Sequence, residues 1–367
     1  MATDSKYMKR ALILAKKGVG KTSPNPVVGC VIVKNGIIIG EGWHKRAGGH
    51  HAEVHALNMA GAEAHGADVY VTLEPCSHTG RTPPCCDALI RAGVKRVVVG
   101  MSDPNPQVNG GGLQALQQVG IDTVCGILAD ECRDINKPFL KFIATGQPYV
   151  TYKCAMTLDG KTASYSGDSR WISCEASRKL VHQMRAESDA IMVGVNTVIA
   201  DNPQLTVRHI RGRNPLRVIV DSHLRTPENA AVVNGHLAQG TIIATTETNT
   251  EIHARYLTKG VSLLVCSSEN NRVSLHDLWN KLGKLGVSSL LLEGGSHLAG
   301  CALTQGLIDN CVFFYAPKVI GSDGFSPFAI NGTTSMSNSI SFQDLCMQRV
   351  GTDIMLTARP EIKCSQD

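Results

Sequence analysis

The sequence predicts two consecutive α/β domains, the first spanning residues 1–146 and the second 147–367. Three observations carry that prediction. At 367 residues the chain exceeds what one hydrophobic core usually fills. Short apolar strands alternate with helical stretches in both halves, the pattern of layered α/β folds. Between the halves, "KFIATGQPYV" sets a Gly and a Pro between two patterned regions, which puts the joint there. A hydrophobic content of 43% against 18% charged residues excludes a disordered chain. A net charge of +5 suits an anionic small molecule and is too weak to argue for a nucleic-acid surface.

The elements follow in order. "MATDSKYMKRALILAKKG" scatters acids and bases through an apolar stripe and reads as an amphipathic first helix, not a signal peptide. "PVVGCVIV", Asn35-Gly36 and "IIIGEGWH" form a hairpin with its turn residues in place. A helix from Ala52, a strand "ADVYVTL", a helix after Pro83-Pro84 and a strand "VKRVVVG" complete a layered α/β/α domain that closes near Gly120 to Leu140. Past the joint come a strand "YVTYKCAM", a helix "SCEASRKLVHQMRAES", and strands "DAIMVGV", "LRVIVDS", "GTIIATT" and "VSLLVC". The run from "VSSLLLEGG" to "APKVIG" reads strand, glycine turn, helix, strand, and "TARPEIKCSQD" reads as a last strand with a loose end. Asn229 to Ser267 carries no assignable chemistry and is expected to supply strands and their helical cover. No window holds the apolar run of a membrane helix, so no membrane partner is expected. Thirteen cysteines without a signal segment point to reduced thiols and a cytoplasmic protein.

Chemistry concentrates in two stretches, "GGHHAEVHAL" and "LEPCSHTGRTPPCC". A hydrolytic zinc site needs three protein ligands, an open fourth position for water, and a nearby carboxylate that does not bind the metal. His51-Ala52-Glu53 offers a ligand and such a carboxylate at a helix start, and Cys76 and Cys85 complete a His/Cys/Cys set. Pro75 precedes Cys76 and Pro83-Pro84 precede Cys85; a helix start favours the thiolate. This is the pattern of zinc deaminases, H-x-E followed by paired cysteines, with Glu53 as proton shuttle. Here the cysteines are separated by eight residues instead of two, and the inserted loop brings Arg81, suited to an anionic group. Alternatives stay open. His50 or His55 could join a helical histidine pair, Cys86 could replace Cys85, and a fourth protein ligand would make the zinc structural. A metalloprotease is disfavoured because Ala52, not Glu, follows His51.

At "PNPVVGCVIV", "HAEVHAL", "TLEPCSHTGRTPPC" and "DPNPQVNGGG" the chain resembles the bifunctional riboflavin-biosynthesis deaminase/reductases, the RibD family. The resemblance continues through "LDGKTA", "SRWIS", "QMRAESDAIMVG", "NTVIADNPQLTVR", "LLEGG" and "APKVIG". It implies a cytidine-deaminase-like first domain and a dihydrofolate-reductase-like second one. The first would deaminate a diamino-hydroxy-phosphoribosylaminopyrimidine; the second would use NADPH to reduce the ribosyl group of the product to ribityl. Carried onto matching positions, one zinc per chain sits on His51, Cys76 and Cys85, with Glu53 moving the proton. Asn25, His44, Arg81, Asp103 and Asn105 surround the pyrimidine and its phosphoribosyl arm. A homo-oligomer, dimer or tetramer, acting on a phosphorylated pyrimidine and not on nucleic acid, is expected with it.

Read from its residues, the second half offers only "SLLLEGGSHLAG", a strand running into Gly294-Gly295 and a helix start, where backbone N–H groups can approach a phosphate. Without G-x-G-x-x-G this is a weak dinucleotide signal. The resemblance puts Gly294, Gly295, Ser296, His297, Leu298, Ala299 and Gly300 along the NADPH phosphates, helped by Thr197, Asp201 and Ser222, with Ala155 and Trp171 near the nicotinamide. Ser169, Arg185, Leu205, Arg208 and Glu293 would meet substrate. Lys153 and Asp201 are the candidates to assist hydride transfer by charge or proton delivery. Two other function classes compete, a nucleic-acid editing deaminase and a zinc-stabilised binding protein without turnover. Only 5% aromatic residues argues against the first; the number of zinc ligands decides the second.

Overall fold

The computed structural model describes residues 2–77, 83–105 and 110–361. Contacts divide the chain into two units, Met1–Gly146 and Gln147–Asp367. In the first, α1 (Ala2–Lys16) precedes a hairpin of β1 (Gly29–Lys34) and β2 (Ile37–Trp43). The hairpin turns on Asn35 and Gly36, whose φ values of 51° and 78° are the left-handed pair a two-residue turn of this hand requires. Then come α2 (Ala52–Ala60), β3 (Asp68–Leu73), α3 (Cys85–Arg91), β4 (Arg96–Met101), α4 (Gly111–Gln118), β5 (Asp122–Cys125), α5 (Ala129–Ile135) and α6 (Lys137–Thr145). The sheet order is β2-β1-β3-β4-β5. Its central strands β1, β3 and β4 are buried almost throughout, as strands covered by helices on both faces must be.

The second unit contains β6 (Tyr149–Thr157), α7 (Glu175–Glu187), β7 (Ala190–Gly194), α8 (Val195–Asp201), β8 (Leu216–Val220), β9 (Thr241–Thr245), α9 (Thr250–Leu257) and β10 (Ser262–Val265). There follow a small hairpin of β11 (Ser268–Glu269) and β12 (Arg272–Val273), then α10 (Leu275–Lys284), β13 (Ser289–Glu293), α11 (Ser296–Thr304), β14 (Asn310–Ala316), β15 (Ser341–Val350) and β16 (Asp353–Glu361). Nine strands form one sheet, β10-β9-β8-β7-β13-β6-β14-β16-β15, parallel from β10 to β14. Successive residues of a strand face opposite sides. Met192 accordingly joins one apolar cluster with Tyr152, Val218 and Leu290, while Ile191 and Val193 join another with Ile219 and Ile243.

Two elements differ from the sequence reading. The joint is shorter: α6 runs on to Thr145, ending at Gly146 with φ 70°, so the helix takes up the first half of "KFIATGQPYV" and β6 its last two residues. The strand β15 had no apolar alternation to betray it. It lies at the sheet edge, exposed along most of its length, and only its pairing with β16 makes it a strand. No helix among the described residues is long and apolar enough to cross a membrane.

Candidate active sites

Three element ends deliver the metal donors. His51 directly precedes α2 in extended backbone, Cys76 follows β3, and Cys85 opens α3 after Pro84. The seat of α2 depends on Gly42 in β2: a Cβ there would collide with the Ala52 carbonyl oxygen. His51 Nδ1 lies 3.1 Å from Cys85 Sγ and 3.6 Å from Cys76 Sγ. All three donor atoms fall within 4.8 Å of one another, and among the described residues no fourth donor joins the group. Donors around a tetrahedral zinc, at bond lengths of about 2.0–2.3 Å, sit roughly 3.5 Å apart, so the trio fits the ion.

The electrostatics agree with a metal seat. The hydrogen bond shared with Cys85, reinforced by His51, draws the Cys76 thiol down to about 4. The same shared bond and burial push Cys85 up. Contact with Cys76 raises His51. Glu53, on the first turn of α2, is 3% exposed; burial raises its carboxyl, and its Oε2 has no hydrogen-bond partner. A buried carboxylate oxygen left unpaired beside three metal donors is the mark of a group awaiting a proton or a ligand. Cys86 behaves differently: burial pushes it up to about 12, and its thiol donates to the carbonyls of Pro75 and Gly112.

Around this centre, His44 is buried and stands edge-on to His51, ring centroids 5.4 Å apart. Its Nδ1 lies 3.1 Å from the His50 carbonyl, which can only accept, so Nε2 is left to accept from Asn25 Nδ2 at 3.4 Å. Asp103 and Asn105 follow β4, the Asn105 amide donating to Asp103 Oδ1. Sequence reasoning missed what holds that segment. Glu74, buried just before Pro75 and Cys76, accepts from the backbone amides of Asp103, Gly110, Gly112 and Leu113 at 3.1–3.2 Å. The signal was an acid at the end of an apolar strand. Arg81 lies outside the described residues.

In the second unit a cavity of about 940 Å³ opens beside the ends of β7, β8 and β13. That is the upper end of the roughly 300–1,000 Å³ usual for small-molecule sites. Of the expected cofactor residues, Thr197, Ser222, Gly295, Ser296, His297 and Leu298 line it. Gly294 and Gly295 take φ of 73° and 78°, which lets the chain turn sharply into α11 and present that helix's first amides. The donor set therefore fits a dinucleotide phosphate. Ala299 and Gly300 are buried inside α11; a Cβ on Gly300 would press on the Ala329 carbonyl, so this glycine serves packing. Ala155 lies half-buried on β6 opposite Phe314. Trp171 is exposed beneath the Arg178 guanidinium, 4.7 Å from its ring centroid, and Asp201 ends α8, exposed, its carbonyl accepting from Arg170.

Of the expected substrate residues, Arg185 and Glu293 grip each other in a forked pair at 2.7 and 2.8 Å. Burial opposes the Glu293 charge, but the Arg185 guanidinium outweighs it and holds the carboxyl down at about 2. Arg185 also donates to the Thr206 carbonyl, beside Leu205, which is buried at φ 53°. Lys153 pairs in register with Glu293 across β6 and β13. Arg208 is exposed, with its backbone amide donating to His182 Nδ1 at 3.0 Å; Ser169 is half-buried in the loop before α7. His182 was not anticipated from sequence, because a histidine within a helical run is ordinarily a core or surface residue.

Comparison with known proteins follows the same division. The description "Cytidine and deoxycytidylate deaminase zinc-binding region" matches residues 1–101, and "RibD C-terminal domain" matches 148–356. "Riboflavin biosynthesis protein RibD" of Actinobacillus pleuropneumoniae is 45% identical over 355 residues, covering 96% of this chain and 94% of that one. The Escherichia coli (strain K12) protein of the same name is 44% identical, covering 96% and 98%. Among solved structures, Acinetobacter baumannii RibD (form 1) superposes with a TM-score of 0.88 at 40% identity, covering 98% of this chain and 99% of that one. A diaminohydroxyphosphoribosylaminopyrimidine deaminase/5-amino-6-(5-phosphoribosylamino)uracil reductase from Thermotoga maritima gives 0.88 at 36%, with the same coverage.

Proposed function

Because this chain belongs to the RibD family, a bifunctional deaminase/reductase of riboflavin biosynthesis with a zinc-binding deaminase domain and an NADPH-dependent reductase domain, we propose that the two clusters of side chains described above carry its two reactions. The deaminase half, residues 1–146, acts on 2,5-diamino-6-(5-phosphoribosylamino)pyrimidin-4-one, and the reductase half, residues 147–367, acts on 5-amino-6-(5-phosphoribosylamino)uracil. His51, Cys76 and Cys85 hold the zinc, which when bound supplies a nucleophilic water at neutral pH. Glu53 would carry one of that water's protons to the ring nitrogen and the other to the departing amine, so that the C–NH2 bond gives way to C=O and ammonia leaves. The observation that carries this reading is the unpaired, buried Glu53 oxygen beside three donors at zinc spacing. Asn25 and His44 bind the pyrimidine, Asp103 and Asn105 the ribosyl arm, and Arg81 the phosphate.

In the reductase half, NADPH supplies the hydride when bound. Glu293, kept anionic by Arg185, orients the substrate base, while Arg208 meets the phosphate and Ser169 and Leu205 border the sugar. Lys153 delivers the proton that the ribose ring oxygen takes up as its bond to the anomeric carbon breaks and hydride takes its place, a role supported by its register beside Glu293; Asp201 assists through its charge. The protein works as a homo-oligomer on free small molecules; that it does not act on nucleic acid is supported by its modest charge. A cytoplasmic site is supported by twelve free thiols among the described residues.

The deciding experiment is Glu53→Gln. Removing a proton shuttle costs about 100- to 10,000-fold in rate. Deamination falls by that much, while zinc content and NADPH oxidation with the uracil substrate stay at wild-type levels. Surviving deamination, or zinc lost with the carboxylate, rejects the assignment.

A further inference from the structure

We propose that Arg225 and Arg272 select NADPH over NADH by gripping the phosphate on the adenosine ribose. The inference rests on the cofactor reading above and deepens it. Open α/β sheets bind ligands beyond the carboxyl ends of their strands, and the cavity lies there, walled by residues after β7, β8 and β13. One of its walls is the Gly295–Ser296 turn, suited to the central phosphates. The substrate pair Arg185–Glu293 and Lys153 mark the β13/β6 side as the reducing end. In the sheet, β7 and then β8 lie on the far side of β13 from β6. The adenosine end therefore points toward β8 and the β11–β12 turn.

A cofactor site for NAD commonly sets a carboxylate at a strand end to bind the ribose hydroxyl. The acid in that position here, Asp221, does not line the cavity, although its Oδ1 is buried without a hydrogen-bond partner. It is fully buried, and its Oδ2 accepts from the Thr226 amide and hydroxyl at 2.7 Å each. Asp221 instead braces the loop that carries Ser222, His223 and Arg225 to the cavity wall. Arg225 Nη2 donates to Asn196 Oδ1 at 3.0 Å, which fixes the guanidinium against the start of α8. The Val273 amide donates to Ser222 Oγ at 3.0 Å, tying the hairpin, and Arg272 with it, to the same wall. Neither arginine has an ion-pair partner among the described residues. One acid, Glu269, pairs in register with Arg272 across the hairpin and shares that wall with the two arginines, which leaves an excess of positive charge. Two guanidinium forks with unspent charge match a phosphate dianion and gain nothing from a hydroxyl.

The test is binding by calorimetry to the full-length, zinc-loaded protein, with NADPH, NADH, 2′,5′-ADP and 5′-AMP as probes. Arg225→Ala and Arg272→Ala should each weaken NADPH and 2′,5′-ADP by roughly 10- to 100-fold, the worth of a charge-assisted contact. NADH and 5′-AMP should bind as to wild type. Equal weakening of both cofactors, or unchanged preference in the double variant, overturns the assignment. Wild-type protein that binds neither NADPH nor NADH overturns the cofactor reading itself, and this assignment with it.

Discussion

His182 and the Arg208 amide it accepts show how a single side chain holds a loop of the second unit. Burial, helped by Arg185 and Arg208 nearby, depresses the His182 imidazole to about 4. An unfolded histidine titrates near about 6.5. Between those values the unfolded chain takes up a proton that the folded one refuses. The contribution of this residue to stability is thus complete above pH 6.5 and fades as the pH falls toward 4. Neutral His182 accepts the Arg208 amide; once protonated on both nitrogens it cannot. NMR titration should find an imidazole still neutral at pH 5 whose signal is absent from the His182→Asn variant. If every histidine titrates near 6.5, the idea is wrong. The sequence spelled out the three side chains of the candidate metal cluster because H-x-E and flanked cysteines are local patterns. It was silent on His182, Glu74 and Arg225, whose roles come from partners distant along the chain.

At the scale of elements, the deaminase centre is a problem of seating α2. His51 just precedes that helix and Glu53 rides on its first turn, and the helix reaches the sheet because residues 40 and 42 have no side chains. Gly42→Val should push α2 outward, costing about 1–3 kcal/mol as overpacking does. Unfolding of the first unit should come at lower denaturant, and zinc retained after dialysis should fall. An unchanged midpoint with full zinc would refute this seating. Glycine at 42 was visible in "IIIGEGWH", but nothing local says that a helix crosses there. The hairpin, by contrast, was legible because Asn-Gly fixes its turn without help from tertiary contacts. Strand β15 was illegible for the opposite reason: its residues are mostly exposed, so no burial alternation marks it.

For the molecule as a whole, alternation of strands and helices and the break near residue 146 revealed two α/β units. Each has its own apolar interior, one around Val31, Val71 and Val98, the other split across the two faces of a nine-stranded sheet. Ligands that bind one unit should stabilise that unit alone. Stripping zinc with a strong chelator should lower one calorimetric transition, and NADPH at about 100 times its Kd should raise the other by about 2.7 kcal/mol. A single transition that moves as one with both ligands would contradict this independence. The little β11–β12 ribbon stands outside the large sheet, fastened by the Val273 amide on Ser222 and by the Val273 side chain buried in the core. One of the two arginines proposed to choose the coenzyme thus rides on an appendage that descendants, or a protein engineer, can rewrite while the load-carrying frame keeps its sequence.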